Sequence, residues 1–373
     1  MSTNVLLRRQ NELKTRMKSS GFEAIVLTPG PMLRYLTGLQ IGSSERPIVV
    51  FFSQNLEPVF VLPTLERAQL TDLDFQYECF DYGENPVEWQ FSFDQAAAYC
   101  GIFDRQIGIE EQFMRVFELK HLREAAWTTK FTNAKDVLDS LRCCKDDHEI
   151  DLMRQAVGIA EKALEQTIIE THAGDTESEI ASRLFKNLLD QGSSTALPFQ
   201  PIVAGGPNSA NPHAHPGNRP LERGDILLID WGANVNGYFS DLTRVFSIGE
   251  PDAELAKVAS IVEQANEAAR DRAAPGVSAS AVDIAARTVI DDAGYGQYFT
   301  HRTGHGIGLA IHEPPYVRSD SDVILEEGMT FTIEPGIYLP GRGGIRIEDD
   351  MVVTTNGAQS LSSIPRNLIV LDG

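Results

Sequence analysis

The sequence predicts a mixed α/β (α+β) chain in two parts. A small N-terminal α/β domain spans residues 1–130, a connecting segment 131–145, and a larger domain of two similar helix–helix–sheet halves 146–373. Three observations predict it. Short apolar runs and amphipathic stretches alternate through residues 1–130; the chain turns polar at Arg142-Cys-Cys-Lys-Asp-Asp147 before a long helical pattern; and residues 174–192 reappear in outline at 276–294. A chain of 373 residues also matches the prior of roughly 150 residues per domain.

In the first domain, Ala24–Leu27, Pro47–Phe52, Pro58–Leu62 and Gln106–Ile109 read as strands, because each is a short apolar run bounded by polar or turn residues. Gln10–Met17 and Phe113–Arg123 read as helices. The single histidine here, His121, has no companion ligands, which implies a structural, specificity or assembly role for the domain. Beyond the break, Ile150, Met153, Val157, Ala160 and Leu164 recur at three- and four-residue steps behind a cap expected at Asp147. Gly174-Asp-Thr-Glu-Ser-Glu-Ile180 then opens a helix ending at Gly192, and Gly276-Val-Ser-Ala-Ser-Ala-Val282 opens another ending at Gly294. Both flanking glycines are displaced by 102 residues, and Ile180 and Leu188 fall on Val282 and Ile290. A helix precedes each (about 149–171 and 252–273) and strand-like sequence follows, so a duplicated unit with a ligand cleft between its halves is expected.

Composition excludes several function classes. With 53 acidic and 32 basic residues the net charge is −21, which disfavours nucleic acid and anionic membrane surfaces. A 42% hydrophobic and 23% charged chain is too apolar for disorder. Its longest apolar runs, such as Pro47–Phe52 and Val59–Leu62, fall far short of the ~20 residues of a membrane span. The N-terminus is not followed by the apolar segment of a secretory signal. Cys79, Cys100, Cys143 and Cys144 form no Cys-x-x-Cys pair and fit a reduced, cytoplasmic protein.

The chemistry-bearing residues stand at the ends of apolar strands. Ile226-Leu-Leu-Ile-Asp-Trp231 is followed by the hairpin signal Asn234-Val-Asn-Gly237 and then Tyr238-Phe-Ser-Asp-Leu-Thr243. With a Val235-Asn236 loop, Asp230 and Asp241 pair directly; with an Asn236-Gly237 loop they are diagonal neighbours. Both registers put the carboxylates on one face. Gly232 between them leaves room for something bulky, and two buried acids together call for a cation. Gly304-His-Gly-Ile-Gly-Leu-Ala-Ile-His-Glu-Pro-Pro315 carries His305 and His312; its glycines permit close approach to a ligand, and it lacks the Gly-Lys-Ser/Thr ending of a phosphate loop. Met329-Thr-Phe-Thr-Ile-Glu-Pro-Gly336 ends its apolar run on Glu334, and Gly343-Gly-Ile-Arg-Ile-Glu-Asp-Asp350 sets Arg346 and Glu348 on one face of a strand-like alternation.

These residues resemble the pita-bread metallopeptidases: Xaa-Pro dipeptidase (prolidase), aminopeptidase P, methionine aminopeptidase and the metal-free creatinase. The resemblance covers essentially the whole chain, with a creatinase-like N-terminal domain and a pita-bread catalytic domain. It implies that Asp230, Asp241, His305, Glu334 and Glu348 hold two divalent metal ions, Asp241 and Glu348 bridging, Asp230 on one ion, His305 and Glu334 on the other. Hard oxygen donors with one imidazole suit Mn²⁺ or Co²⁺, with Zn²⁺ also open. A hydroxide held between the ions would attack the peptide carbonyl, with Glu334 accepting the water's proton. By motif, His213 in His-Ala-His-Pro216 and His312 are the expected substrate and intermediate hydrogen-bond donors. His215 is expected to be a bystander, His301 to line the cleft, and His121, His148 and His172 to lie on the surface.

Within the family it resembles, prolidase, aminopeptidase P and creatinase carry such an N-terminal domain and methionine aminopeptidases generally lack it, so the resemblance implies a small peptide with proline in second position; the full ligand set argues against creatinase-like chemistry. Dipeptidase activity requires a cation for the free carboxylate; Arg318 is the candidate, and Arg346 is expected to support the acidic ligands. Aminopeptidase P activity on longer peptides, a non-peptide amide hydrolase and a silent binding protein are the alternatives. The resemblance also implies a homodimer.

Overall fold

The computed structural model describes residues 3–371, so Met1, Ser2, Asp372 and Gly373 lie outside it. The chain divides into two compact units, Met1–Arg142 and Cys143–Gly373.

The first unit comprises α1 (Thr3–Ser19), β1 (Ala24–Leu27), α2 (Pro31–Thr37), β2 (Val49–Ser53), β3 (Val59–Pro63), β4 (Glu78–Tyr82), α3 (Pro86–Cys100), β5 (Gln106–Ile109), α4 (Val116–Ala125), β6 (Lys130–Asn133) and α5 (Lys135–Arg142). Its described strands form one sheet in the order β4-β3-β2-β1-β5-β6, antiparallel across β1–β2–β3 and parallel elsewhere. β1 and β5 occupy the expected residues. The segment expected to connect the domains carries most of β6 and all of α5. Trp89, Phe93 and Ala97 of α3 and Leu122 of α4 pack on Val26, Phe51, Val61 and Ile107 of the sheet. Each large side chain buried this way contributes ~1.5–3 kcal/mol of transfer free energy. His121 is half-buried and stacks on Phe93, ring centroids 5.0 Å apart, so it is a packing residue and not the surface residue expected.

The second unit opens with α6 (Asp147–Ile169) and α7 (Glu177–Asp190). The N-cap of α6 is Asp146 and not Asp147: Asp146 accepts from the Glu149 backbone while the Glu149 side chain reaches back, closing a capping box. Strands β7 (Ile202–Gly205), β8 (Ile226–Trp231), β9 (Asn234–Val235), β10 (Tyr238–Phe239) and β11 (Leu242–Ile248) follow, then α8 (Ala253–Arg272) and α9 (Ala279–Asp292). The rest is strands: β12 (Gly304–Gly306), β13 (Glu313–Val317), β14 (Thr330–Ile333), β15 (Gly336–Leu339), β16 (Gly343–Arg346), β17 (Asp349–Thr354), β18 (Gly357–Ser360) and β19 (Ile369–Leu371). Two sheets result, β19-β11-β8-β7 and β13-β12-β14-β17-β18, with the ribbons β9-β10 and β15-β16.

The duplication is visible in the details. Thr176 and Ser278, 102 residues apart, are the N-caps of α7 and α9. Gly174 N–H donates to the Leu221 carbonyl (2.9 Å) and Gly276 N–H to the Leu325 carbonyl (2.8 Å). Isolated bridges join Thr176 to Pro220 and Ser278 to Ile324. In one half β7 and β11 flank β8, and in the other β12 and β17 flank β14. Asp230 in β8 thus matches Glu334 just past β14, and Asp241 just before β11 matches Glu348 just before β17. Duplication has placed four acids in two equivalent pairs.

Candidate active site

Strand alternation aims the acids. In β8, Trp231 points to the helix side, where its indole N–H donates to the Ala160 carbonyl of α6 (2.8 Å). Asp230 therefore points the other way. The β9–β10 ribbon pairs Tyr238 with Val235 through an Asn236-Gly237 turn with both φ positive, the type I′ geometry matching strand twist. The same register sets Thr243 opposite Asp230, so Asp230 and Asp241 are diagonal neighbours. Gly232 leaves no room for a ligand, contrary to expectation: a Cβ there would sit 2.0 Å from the Ser240 carbonyl oxygen. Gly304 is likewise a chain-packing glycine, since its Cβ would meet the Thr332 carbonyl oxygen at 1.8 Å.

Donor atoms of Asp241, His305 and Glu348 all lie within 4.8 Å of one another, and all three side chains are buried. His305 Nε2 stands 3.6 Å from Asp241 Oδ2 and 3.4 Å from Glu334 Oε1. Its Nδ1 faces the Gly306 carbonyl at 3.1 Å, which assigns the ring proton to Nδ1 and leaves the Nε2 lone pair facing the acids. Burial, and then the neighbouring His312, hold His305 well below the ordinary histidine pKa, so the imidazole is neutral and fit to ligate. Its ring lies edge-on to His312, centroids 4.2 Å apart.

Supporting groups hold the carboxylates. Arg346 Nη2 donates to Asp230 Oδ2 (2.6 Å), Nη1 to Tyr338 Oη (2.8 Å) and Nε to Thr243 Oγ1 (3.1 Å), while Thr243 Oγ1 donates to Glu348 Oε2 (2.7 Å). The Asp241 backbone N–H donates to Asp350 Oδ2 (3.0 Å). Asp230 Oδ1 and Asp350 Oδ1 are buried with no hydrogen-bond partner among the described residues. Burial raises all these acids, most strongly Asp241, Glu348 and Asp350, and Glu334 reaches about 7. Arg346 forms an ion pair with Asp230 and with no other acid of the set among the described residues.

Asp230, Asp241, Glu334 and Glu348 floor a cavity of about 920 Å³ whose lining includes the apolar side chains of Phe199, Pro201, Ile202 and Ile311. His213, His215, His301, His312, Arg318 and Arg346 also line it. His213 and His215 are both exposed and both reach the cavity, although the sequence predicts that His215 stands aside as a bystander. His301 Nε2 is 2.9 Å from Tyr338 Oη and joins the Arg346 network. Arg318 is 57% exposed and bonded through Nε to Asp320 (3.0 Å). His148 and His172 are exposed, as expected.

Residues 151–355 match the model of metallopeptidase family M24, and residues 9–144 match the creatinase/prolidase N-terminal domain. The chain belongs to metallopeptidase family M24. Among its M24 relatives, a Xaa-Pro dipeptidase of Pyrococcus horikoshii is 34% identical over 355 residues, 95% of this chain and 96% of that one. The crystal structure of a prolidase from Thermococcus sibiricus superposes with TM-score 0.93 at 34% identity over 100% of both chains. That of an X-Pro aminopeptidase from Thermotoga maritima does so with TM-score 0.85 at 33% identity over 97% of this chain and 99% of that one. M24 membership makes the chain an enzyme that works with divalent metal ions.

Thr243, Arg302, Tyr338 and Asp350 escape the sequence reading. Asp350 alone left a usable signal, being a second acid on the Glu348 alternation.

Proposed function

We propose that this M24 metallopeptidase hydrolyses dipeptides whose second residue is proline, with two divalent ions held by Asp230, Asp241, His305, Glu334 and Glu348. The observation that carries the reading is the buried set of carboxylates with raised pKa and a neutral, correctly turned imidazole, floored against an apolar-walled cavity. The donor set fits the ions: oxygen ligands with one nitrogen, those of Asp241, His305 and Glu348 converging within 4.8 Å, and more negative charge than the neighbouring arginine answers. Bound there, divalent ions would polarise the scissile carbonyl and make water acidic enough to react near neutral pH.

The protein's own groups do the rest. Glu334, on the cavity floor with Oε1 3.4 Å from His305 Nε2, is placed to accept the water's proton. His312 is held neutral at pH 7 by burial, then Arg302, and keeps one N–H to donate to a developing oxyanion; His213 is the matching donor from the other wall. Arg346 and Thr243 hold Asp230 and Glu348 in place. The apolar wall suits a pyrrolidine ring. The similarity to proteins named Xaa-Pro dipeptidase and prolidase supports proline in second position.

Manganese is proposed as the native ion, because hard oxygen donors dominate the set. The four cysteine thiols support a reducing, cytoplasmic setting. Exposed Val87, Phe91, Val116 and Trp127 of the first unit support a homodimer; a monomeric mass by light scattering would refute that part.

Hydrolysis of Ala-Pro beside Ala-Pro-Ala, with Mn²⁺ and with chelator, tests the reading. Metal-dependent cleavage of the dipeptide alone is the expected result. Cleavage mainly of the tripeptide would favour the second reading, which the similarity to the Thermotoga maritima X-Pro aminopeptidase supports. No cleavage of either in the metal-loaded protein would refute both.

A further inference from the structure

A dipeptide differs from a longer peptide by a free carboxylate on its second residue, and a site that selects dipeptides must answer that charge. Three arginines line the cavity: Arg302, Arg318 and Arg346. Arg346 is buried and its Nε, Nη1 and Nη2 are committed to Thr243, Tyr338 and Asp230. Arg318, in Tyr316-Val-Arg-Ser-Asp320, is 57% exposed and already ion-paired to Asp320. A flexible, hydrated and occupied guanidinium contributes little to recognition.

Arg302 differs from both. It is half-buried, precedes the strand that carries His305, and lies near enough to His305, His312 and Glu334 for its charge to lower the pKa of each. Its guanidinium carbon sits 4.9 Å from the centroid of the Tyr316 ring. Among the described residues its side chain makes no hydrogen bond or ion pair. Stacking occupies the face of a guanidinium and leaves its in-plane N–H donors available, which is the fork that matches a carboxylate.

We propose that Arg302, held on Tyr316, is the specificity determinant that binds the free carboxylate of the dipeptide. The inference rests on the dipeptidase reading and moves the clamp from Arg318, to which the sequence pointed, to a residue in the same cavity with its donors uncommitted. Tyr316 acts as a positioning residue for it.

The test compares kcat/KM for Ala-Pro and for Ala-Pro amide, which lacks the charge, in the manganese-loaded enzyme. Arg302→Met is expected to lower kcat/KM for Ala-Pro about a hundredfold while changing the amide only a few-fold. Arg302→Lys is expected to be intermediate, because an ammonium supplies charge without the fork, and Arg318→Met should keep the preference for the acid. The ratio of the two substrates is the internal control, since misfolding or metal loss lowers both together; Arg302→Lys keeps the cation and the fold if Arg302→Met does not. Equal loss on both substrates in Arg302→Lys, an undiminished preference in Arg302→Met, or loss of preference in Arg318→Met would each overturn the assignment. A wild-type enzyme that cleaves Ala-Pro amide and Ala-Pro-Ala as well as Ala-Pro would refute the dipeptidase reading itself, before any variant is made.

Discussion

Glu348 and Asp349 are consecutive, both fully buried, and aimed to opposite sides by strand alternation. Asp349 meets Arg244 (Nη2 to Oδ1, 2.7 Å), Arg366 (Nε to Oδ2, 2.6 Å) and the Ser362 hydroxyl. Burial alone would raise its carboxyl, but Arg244 and Arg366 outweigh that and hold it at about 2. Glu348 faces Glu334, Asp230 and Asp241 instead, and burial followed by those neighbours drives it far above the ordinary range. Thr243 and Arg244 repeat the division on β11: the threonine hydroxyl turns to Glu348, the guanidinium to Asp349. The same backbone carries a compensated acid on one side and an uncompensated cluster on the other. Compensation marks an acid that holds the fold together; its lack marks one that awaits a ligand.

The largest expected effect comes from breaking the uncompensated side. Asp241→Asn should lower kcat/KM for Ala-Pro about a thousandfold in the presence of Mn²⁺. In chelator the same variant should melt at a higher temperature than wild type, because it removes a charge that repels its neighbours. The pH dependence follows from the direction of the shift. A carboxyl whose folded pKa lies above its unfolded value of 3.8 binds its proton more tightly when folded. What Asp241 contributes to the stability of the metal-free protein is therefore greatest at low pH and falls as pH rises above 3.8; added Mn²⁺ should abolish that fall. If Asp241→Asn is destabilised in chelator, the acid is structural and the comparison fails.

Asp349→Asn probes the compensated side. It leaves Arg244 without its carboxylate partner in the core and should cost about 3 kcal/mol in urea unfolding. Here the folded pKa, about 2, lies below the unfolded 3.8, so the stabilisation is complete above pH 3.8 and is lost as pH falls towards 2. The wild type should lose stability through that window and the variant should not.

Much of this contrast is legible in the sequence, and the part that is not has a physical cause. β1 is readable as a short apolar run, Ala-Ile-Val-Leu, between polar flanks, and β5 from Ile107 and Ile109 at a two-residue step. The α3 pattern is obscured: Trp89, Phe93 and Ala97 face the core while Val87, Phe91 and Tyr99 are exposed, so apolar residues occupy both faces. β6, Lys-Phe-Thr-Asn, is an edge strand without a buried face to impose alternation. At the site, acids ending apolar strands announce themselves. Partners such as Thr243, Tyr338 and Arg302 do not, because an ordinary residue acquires its role only when the second sheet arrives. Whether an acid is compensated is a tertiary fact: in the sequence Glu348 and Asp349 are merely two adjacent acids.

A third buried pair sharpens the rule. Lys145 Nζ lies 2.6 Å from Glu313 Oε1, with the two side chains 2% and 3% exposed. Glu313 follows His312, and its other oxygen accepts from the Ala310 N–H (3.3 Å), so the pair anchors the loop bearing that histidine. Lys145→Met should destabilise by about 3 kcal/mol by taking the cation away from buried Glu313, and lower kcat more than it raises KM. Adding Glu313→Leu should recover most of the stability, since neither charge is then left alone, yet not the kcat. Equal recovery of both would deny the loop its positioning role.

The smallest effect tests what a lone uncompensated acid does. Glu110, in the first unit, is buried with Oε2 unpartnered among the described residues, and burial lifts it to about 7, with Arg142 pulling down and Asp139 pushing up. One such group needs no cation, because protonation alone neutralises it; four together cannot all take that route at neutral pH, and only the cluster demands metal. The folded pKa exceeds the unfolded 4.5, so the proton is held more tightly in the folded state and stability falls as pH rises from 4.5 to about 7. Glu110→Gln should flatten that slope and stabilise the protein at pH 8 by about 1 kcal/mol, less than the full charge penalty because a buried amide still needs partners. Unfolding of both proteins at pH 5 and pH 8 decides it. A stabilisation equal at the two pH values would mean that Glu110 is not the titrating group, and Mn²⁺ should leave this difference untouched while it erases the one at Asp241.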